Sequence, residues 1–151
     1  LIYLLISLIF FLNIGFNKDN IYNFNFMILI IITFDIFSYL IGTKYGSTKI
    51  LKTISPKKTL EGLVGGIIFS LLFSISLIIL FKNEINFSIV LFILIIIFSS
   101  FTGDIIESYF KRINNLKNSS NFLPGHGGFF DRFDSLIFSM IPYTVFSNIL
   151  L

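Results

Sequence analysis

The stretch LVGGIIFSLLFSISLIILF, Leu63 to Phe81, decides the fold. It carries no charge over a length that, at 1.5 Å per helical residue, reaches roughly 28 Å, close to the ~30 Å hydrocarbon core of a bilayer. Four other apolar runs surround it: Leu1–Leu12, Phe26–Gly42, Phe87–Thr102 and Phe133–Leu151. The last is long enough to span, the two middle runs are borderline at about 17 residues, and Leu1–Leu12 is short, as a helix entered part-way along would be. No basic leader or small-residue cleavage site accompanies that first run, so it reads as part of a helix rather than a signal peptide. The expected fold is all-α, a polytopic transmembrane bundle of about five spanning helices in a single membrane domain over residues 1–151.

Composition agrees. With 55% hydrophobic residues and a mean hydropathy of +0.92, the chain is more apolar than a soluble domain can bury. The absence of Cys excludes disulfides, thiolate nucleophiles and Cys-based zinc sites. A net charge of +3 is small for a nucleic-acid binder, and none of the usual recognition layouts is present, so nucleic acid is not an expected partner.

The loops between the runs divide by charge. Asn13–Asn25 and Lys82–Asn86 are short and nearly neutral. Of the eleven Lys and Arg residues, Thr43–Gly62 holds five (Lys44, Lys49, Lys52, Lys57, Lys58) and Gly103–Arg132 holds four (Lys111, Arg112, Lys117, Arg132). Two crossings separate these basic loops, which puts both on one face, and the positive-inside rule makes that face cytoplasmic. The chemically expressive residues fall in the same loops or at the adjoining helix ends.

Asp35 lies inside an apolar run, where an ion facing lipid costs a few kcal/mol, so it is expected to face a polar interior; a protonated Asp fastening two helices would look the same. In Ser55-Pro56-Lys57-Lys58-Thr59-Leu60-Glu61-Gly62, Pro56 suits a helix start and Glu61 a first turn. Lys58 and Thr59 there either reach a phosphate at the membrane surface or serve as an anchor and a cap. Asp104, Glu107, Ser108 and Lys111 stand at i, i+3, i+4 and i+7, so two carboxylates, a hydroxyl and an ammonium share one helix face, functional or merely solvated. In Pro124-Gly125-His126-Gly127-Gly128, the glycines permit a tight loop whose N–H groups can approach an anion, with a plain turn as the alternative. Asp131, Asp134 and Ser135 follow at i, i+3 and i+4 as the last run begins.

Together, Asp104, Glu107, Asp131 and Asp134 are hard oxygen donors at membrane-proximal helix ends, and Lys58, Lys111, Arg112 and Arg132 are phosphate partners. That combination suits Mg²⁺-assisted phosphoryl or nucleotidyl transfer, whereas a lone His without a second His or Cys argues against zinc.

Ser108-Tyr109-Phe110-Lys111-Arg112, then Lys117, then Pro124 to Gly128, then Asp131-Arg132-Phe133-Asp134, resembles the C-terminal signature of the phosphatidate cytidylyltransferase (CDP-diglyceride synthetase) family. Asp35, Ser38, Tyr39, Gly42 and Gly46 resemble its upstream membrane motif, and Ser55-Pro56 with Lys58-Thr59 its middle loop, so the likeness runs from Thr33 to Tyr143. Asn118 stands where the family usually has Asp, and Thr43 where a basic residue is frequent. The resemblance implies the C-terminal part of a longer protein, in a bacterial inner membrane, with a homodimer as the candidate assembly. The implied reaction joins CTP and phosphatidate to give CDP-diacylglycerol and pyrophosphate, with Mg²⁺ and room for a second cation. It also implies roles: Asp104 and Asp131 as metal ligands with Glu107 and Asp134 in support, and Lys111, Arg112 and Arg132 as phosphate contacts. Lys58, Thr59, Ser108, His126, Gly127, Gly128 and Asp35 would complete the substrate site. A CTP-dependent polyprenol or phytol kinase is the nearest alternative enzyme, and a transporter using Asp35 the alternative from another class.

The topology is directly testable, because the chain is free of native Cys. Single Cys residues at Ser47 and Ser119 should both react with a membrane-impermeant maleimide from the cytoplasmic side only; opposite accessibility would overturn the arrangement.

Overall fold

The computed structural model describes Leu5, Ile9 and residues 18–81, 85–114 and 130–150, with the side chains at 18–20, 130–133 and 147–150 left undescribed. The chain runs α1 (Lys18–Tyr45), β1 (Lys49–Leu51), β2 (Ser55–Thr59), α2 (Leu60–Phe81), α3 (Phe87–Ile113) and α4 (Phe130–Leu150). Three helices are long and apolar enough to cross a membrane: 21–45 of α1, α2, and α3. The apolar part of α4 that is described, Asp134–Phe146, is shorter, and Leu1–Leu12 lies outside the described residues apart from Leu5 and Ile9. The chain is thus a helical membrane protein.

The helices overrun the apolar runs that predict them. At 1.5 Å per residue, α1 and α3 each reach roughly 40 Å and so project beyond a ~30 Å core. The stripe from Asp104 to Lys111 therefore rides on the continuation of a membrane helix.

Between α1 and α2 the structure departs from the all-helical expectation. Strands β1 and β2 form an antiparallel hairpin, with Lys49 opposite Thr59, Leu51 opposite Ser55, and a register shift between the two pairs. Pro56 sits in β2 instead of starting a helix; a two-stranded ribbon has a free edge at every strand, where a missing N–H is tolerated. Helix α2 begins at Leu60, whose N–H donates to the Thr48 carbonyl at 2.9 Å.

Packing follows two different rules. Around α3, the middle of the core is built from large residues, Met27, Ile30 and Phe34 of α1, Phe92, Ile93, Ile96 and Ile97 of α3, and Met140 and Tyr143 of α4, with small residues (Ser100, Gly103, Ser139) where α3 and α4 meet. Tyr143 meets Phe92 and Phe24 edge-on, at centroid distances of 6.2 and 6.0 Å. Between α1 and α2 the buried residues are small. Gly62, Gly66, Ser70 and Ser74 recur every fourth residue and let the α1 backbone approach closely, as membrane helices favour when lipid offers no hydrophobic drive to associate. A Cβ on Gly62 would lie 2.7 Å from the Ser38 carbonyl oxygen and 3.0 Å from the Gly42 Cα, and one on Gly66 would lie 2.9 Å from the Ser38 Cβ. The large residues left exposed, such as Leu72, Leu80 and Phe98, point outward, as lipid contact requires.

Gly62→Ala tests this packing. Alanine favours a helix interior by up to about 1 kcal/mol, but here the obstructing atoms are backbone, so the net effect should be a loss of about 1–3 kcal/mol in unfolding free energy. Outward-facing Leu72→Ala should stay within about 0.5 kcal/mol. Equal stability of the two variants would show that the glycine contact is not tight.

Candidate active site

The site begins where β2 gives way to α2. Thr59 Oγ1 accepts a hydrogen bond from the Gly62 N–H at 3.2 Å, an N-cap closing the first turn. Three glycines enclose the same side chain: Cβ atoms on Gly42, Gly46 and Gly62 would stand 3.0, 2.6 and 3.0 Å from Thr59 Oγ1. Thr59 is buried as a result, with its oxygen engaged at the helix start. Glu61 fixes the other side of the junction, accepting from Ser47 Oγ at 2.7 Å and from the Thr48 N–H at 3.0 Å.

With Thr59 held, the preceding residue is aimed at α3. Lys58 Nζ donates to Asp104 Oδ2 at 3.0 Å and lies 4.8 Å from the centre of the Phe101 ring. Only 22% of the Lys58 side chain and 24% of the Asp104 side chain is exposed, which separates this pair from a surface salt bridge of little consequence. One turn along α3, Lys111 pairs with Glu107. Arg112 Nε then donates to the Ile54 carbonyl oxygen at 3.2 Å, tying the end of α3 to the hairpin turn. The described start of the second basic stretch, at the end of α3, therefore meets the hairpin at one end of the bundle.

Helix α4 closes the group from the other side. Gly103 permits the approach, since a Cβ there would lie 2.9 Å from the Asp134 carbonyl oxygen and 2.8 Å from the Phe138 Cβ. The Asp134 Oδ1 accepts from the Ser135 N–H at 2.8 Å. What results is a cleft of about 310 Å³ lined by Asp35, Lys58, Asp104, Glu107, Lys111 and Asp134, with Ser108 and Ser135 beside them. A second cleft of about 500 Å³ shares Asp35, Lys58 and Asp104 and extends along Phe34, Tyr39 and Lys57. Asp35 faces these clefts from α1, which explains a carboxylate inside an apolar run.

Among the residues read from sequence as site candidates, the structure brings together Asp35, Lys58, Asp104, Glu107, Ser108, Lys111 and Asp134. Thr59 lines the larger cleft, and Arg112 turns to the hairpin. His126, Gly127, Gly128, Lys117 and Asn118, and the side chains of Asp131 and Arg132, lie outside the described residues. Phe101 beneath Lys58, and the packing of Gly62 against Thr59 beside the motif glycines Gly42 and Gly46, are additional. The Gly62-to-Ser74 spacing of four was the available signal for the second; nothing in the sequence pointed to Phe101.

Among the described residues the donor set is oxygen-only, the chemistry a hard cation such as Mg²⁺ takes. Among the described residues, no three carboxylate or His groups converge as a ligand cluster, and Asp104 and Glu107 each face a lysine. Asp131 lies three residues before Asp134 on α4, with its side chain outside the described residues.

A model of the cytidylyltransferase family matches residues 1–150, and the chain belongs to that family. It is 40% identical over 124 residues to a phosphatidate cytidylyltransferase of Staphylococcus haemolyticus (strain JCSC1435), covering 80% of this chain and 47% of that protein. A phosphatidate cytidylyltransferase of Aquifex aeolicus (strain VF5) is 42% identical over 106 residues, covering 70% of this chain and 39% of its own length. The chain thus spans less than half the length of these curated relatives.

A double-mutant cycle on Lys58→Met and Asp104→Asn, read as thermal stability in detergent without nucleotide, should give a coupling of about 1 kcal/mol. Additive effects would show that the two side chains do not interact.

Proposed function

We propose that the chain forms the catalytic end of a phosphatidate cytidylyltransferase, which makes CDP-diacylglycerol and pyrophosphate from CTP and phosphatidate in a bacterial inner membrane, with this end in the cytoplasm. The observation that carries the reading is the cleft where Lys58 and Lys111 meet Asp35, Asp104, Glu107 and Asp134 at the membrane-proximal ends of three helices and a hairpin.

The chemistry suits such a site. A phosphate oxygen of the lipid attacks the α-phosphorus of CTP, the bond to the α,β-bridging oxygen breaks, and pyrophosphate leaves. Since the acceptor is already an anion, no protein nucleophile or base is required; orientation and charge stabilisation are. Lys58 and Lys111 supply cations that can pass from a carboxylate to a phosphate oxygen, and Phe101 supports the Lys58 ammonium during the exchange. The larger cleft reaches from these charges along Phe34 and Tyr39, a path on which a lipid can keep its chains in the membrane while presenting its phosphate. Asp104 and Asp131 would hold a divalent cation, which when bound would supply neutralising charge to the triphosphate. Arg132 and the Gly127-Gly128 loop complete the phosphate contacts, and His126 supports them.

The test uses membranes containing the complete protein, labelled CTP, phosphatidate and Mg²⁺. Labelled CDP-diacylglycerol should form, Asp104→Asn should lower kcat about a hundredfold, and Leu72→Ala should match the native protein. Near-native turnover in Asp104→Asn would remove that carboxylate from the site, and formation of a phosphorylated alcohol instead of CDP-diacylglycerol would reassign the reaction.

A further inference from the structure

A third concavity, of about 680 Å³, lies along the outer seam of α1 and α2 and shares no lining residue with either cleft of the candidate active site. Its walls are apolar, formed by Leu40 and Ile41 of α1 and by Val64 and Ile68 of α2, with Gly65 contributing no side chain. At its membrane-interior end Phe37 stacks on Phe69, with ring centroids 5.0 Å apart and planes 18° from parallel. At the opposite end the rim carries two charges. Lys44 lies over the Tyr45 ring, 5.2 Å from its centre, and makes no ion pair among the described residues. Glu61 is held in place by Ser47 and the Thr48 N–H.

Three features define what fits. The span from Lys44 to Phe37 is roughly 10 Å along the helix, about two thirds of the ~15 Å hydrocarbon depth of one leaflet. An apolar groove of that depth, open along the outer seam, matches the length of part of an acyl chain. The rim, a lysine with no ion pair among the described residues beside one fixed carboxylate, complements a headgroup that bears both a phosphate and an ammonium. Lys44 and Tyr45 sit at the end of the span, where basic and aromatic side chains meet the headgroup layer.

We infer that the α1–α2 seam is a binding site for one zwitterionic phospholipid, its acyl chain in the slot between Ile41 and Val64, its phosphate on Lys44 and its ammonium toward Glu61. The lipid bound there differs in charge from the anionic phosphatidate of the proposed reaction. The site therefore goes beyond that reading and does not depend on it.

Native mass spectrometry of the delipidated complete protein, without CTP or divalent metal, provides the test. Dioleoyl phosphatidylethanolamine and dioleoyl phosphatidylglycerol are titrated separately against the native protein, Lys44→Gln and Ile68→Trp. Both substitutions change exposed side chains, so folding should be retained, and Ile68→Trp fills the slot. One tightly held phosphatidylethanolamine is expected, bound about threefold or more tighter than phosphatidylglycerol, with the affinity reduced about fivefold or more in each variant. Phosphatidylglycerol binding as tightly as phosphatidylethanolamine, or Lys44→Gln retaining affinity within about twofold, would overturn the assignment. A native dimer that Ile68→Trp dissociates, with no preference among lipids, would give the seam to a second copy of the chain instead.

Discussion

The membrane end of this protein depends on the seating of Thr59 among Gly42, Gly46 and Gly62, because that contact sets three things together. It ends the hairpin, starts α2 through the cap to the Gly62 N–H, and fixes the spacing of α1 and α2 at the level of the clefts. Helices in lipid gain nothing from hiding apolar surface against one another, so their association rests on close packing, which small residues allow. A tight part of the α1–α2 seam is therefore also informative, and Lys58 inherits its direction from the residue that follows it.

Charge is handled by alternation. Lys58 faces Asp104 and Lys111 faces Glu107, so the cations and two of the carboxylates at the end of a low-dielectric bundle neutralise one another. A lone buried ion there would be costly, while paired ions remain available for exchange. Asp35 and Asp134 line the same cleft and have no ion-pair partner among the described residues. Lysines already paired with carboxylates, beside further carboxyl groups, are the arrangement that the proposed handling of a polyanion would use.

The helices, the clustering of basic loops at one end and the shared face of Asp104, Glu107 and Lys111 were legible because each follows from a period or a charge count that survives any tertiary arrangement. The spacing of three and four residues was enough to place the α3 stripe. The hairpin was not legible: Ser55-Pro56 looks like a helix start, and only the pairing of Lys49 with Thr59 across the turn shows otherwise. The position of Asp35 was half legible. Its cost in lipid demanded a polar environment, but a single sequence cannot say that the environment is Asp104 and Lys58 on other elements. Phe101 was invisible for a simpler reason, since one Phe among twenty-one in such a chain carries no signal.

The continuity of α3 has a mechanical consequence. Ile89 to Ile97 hold the helix among its neighbours inside the bilayer, and the same rigid rod carries Asp104 and Glu107 at its upper end. Their height above the membrane midplane is set by how the apolar part of the rod matches the hydrocarbon thickness. The phosphate of any membrane lipid has its height set by that same thickness. Protein and lipid are thus levelled by a common ruler, and a change in bilayer thickness moves the carboxylates and the lipid phosphates in the same sense, keeping them in register.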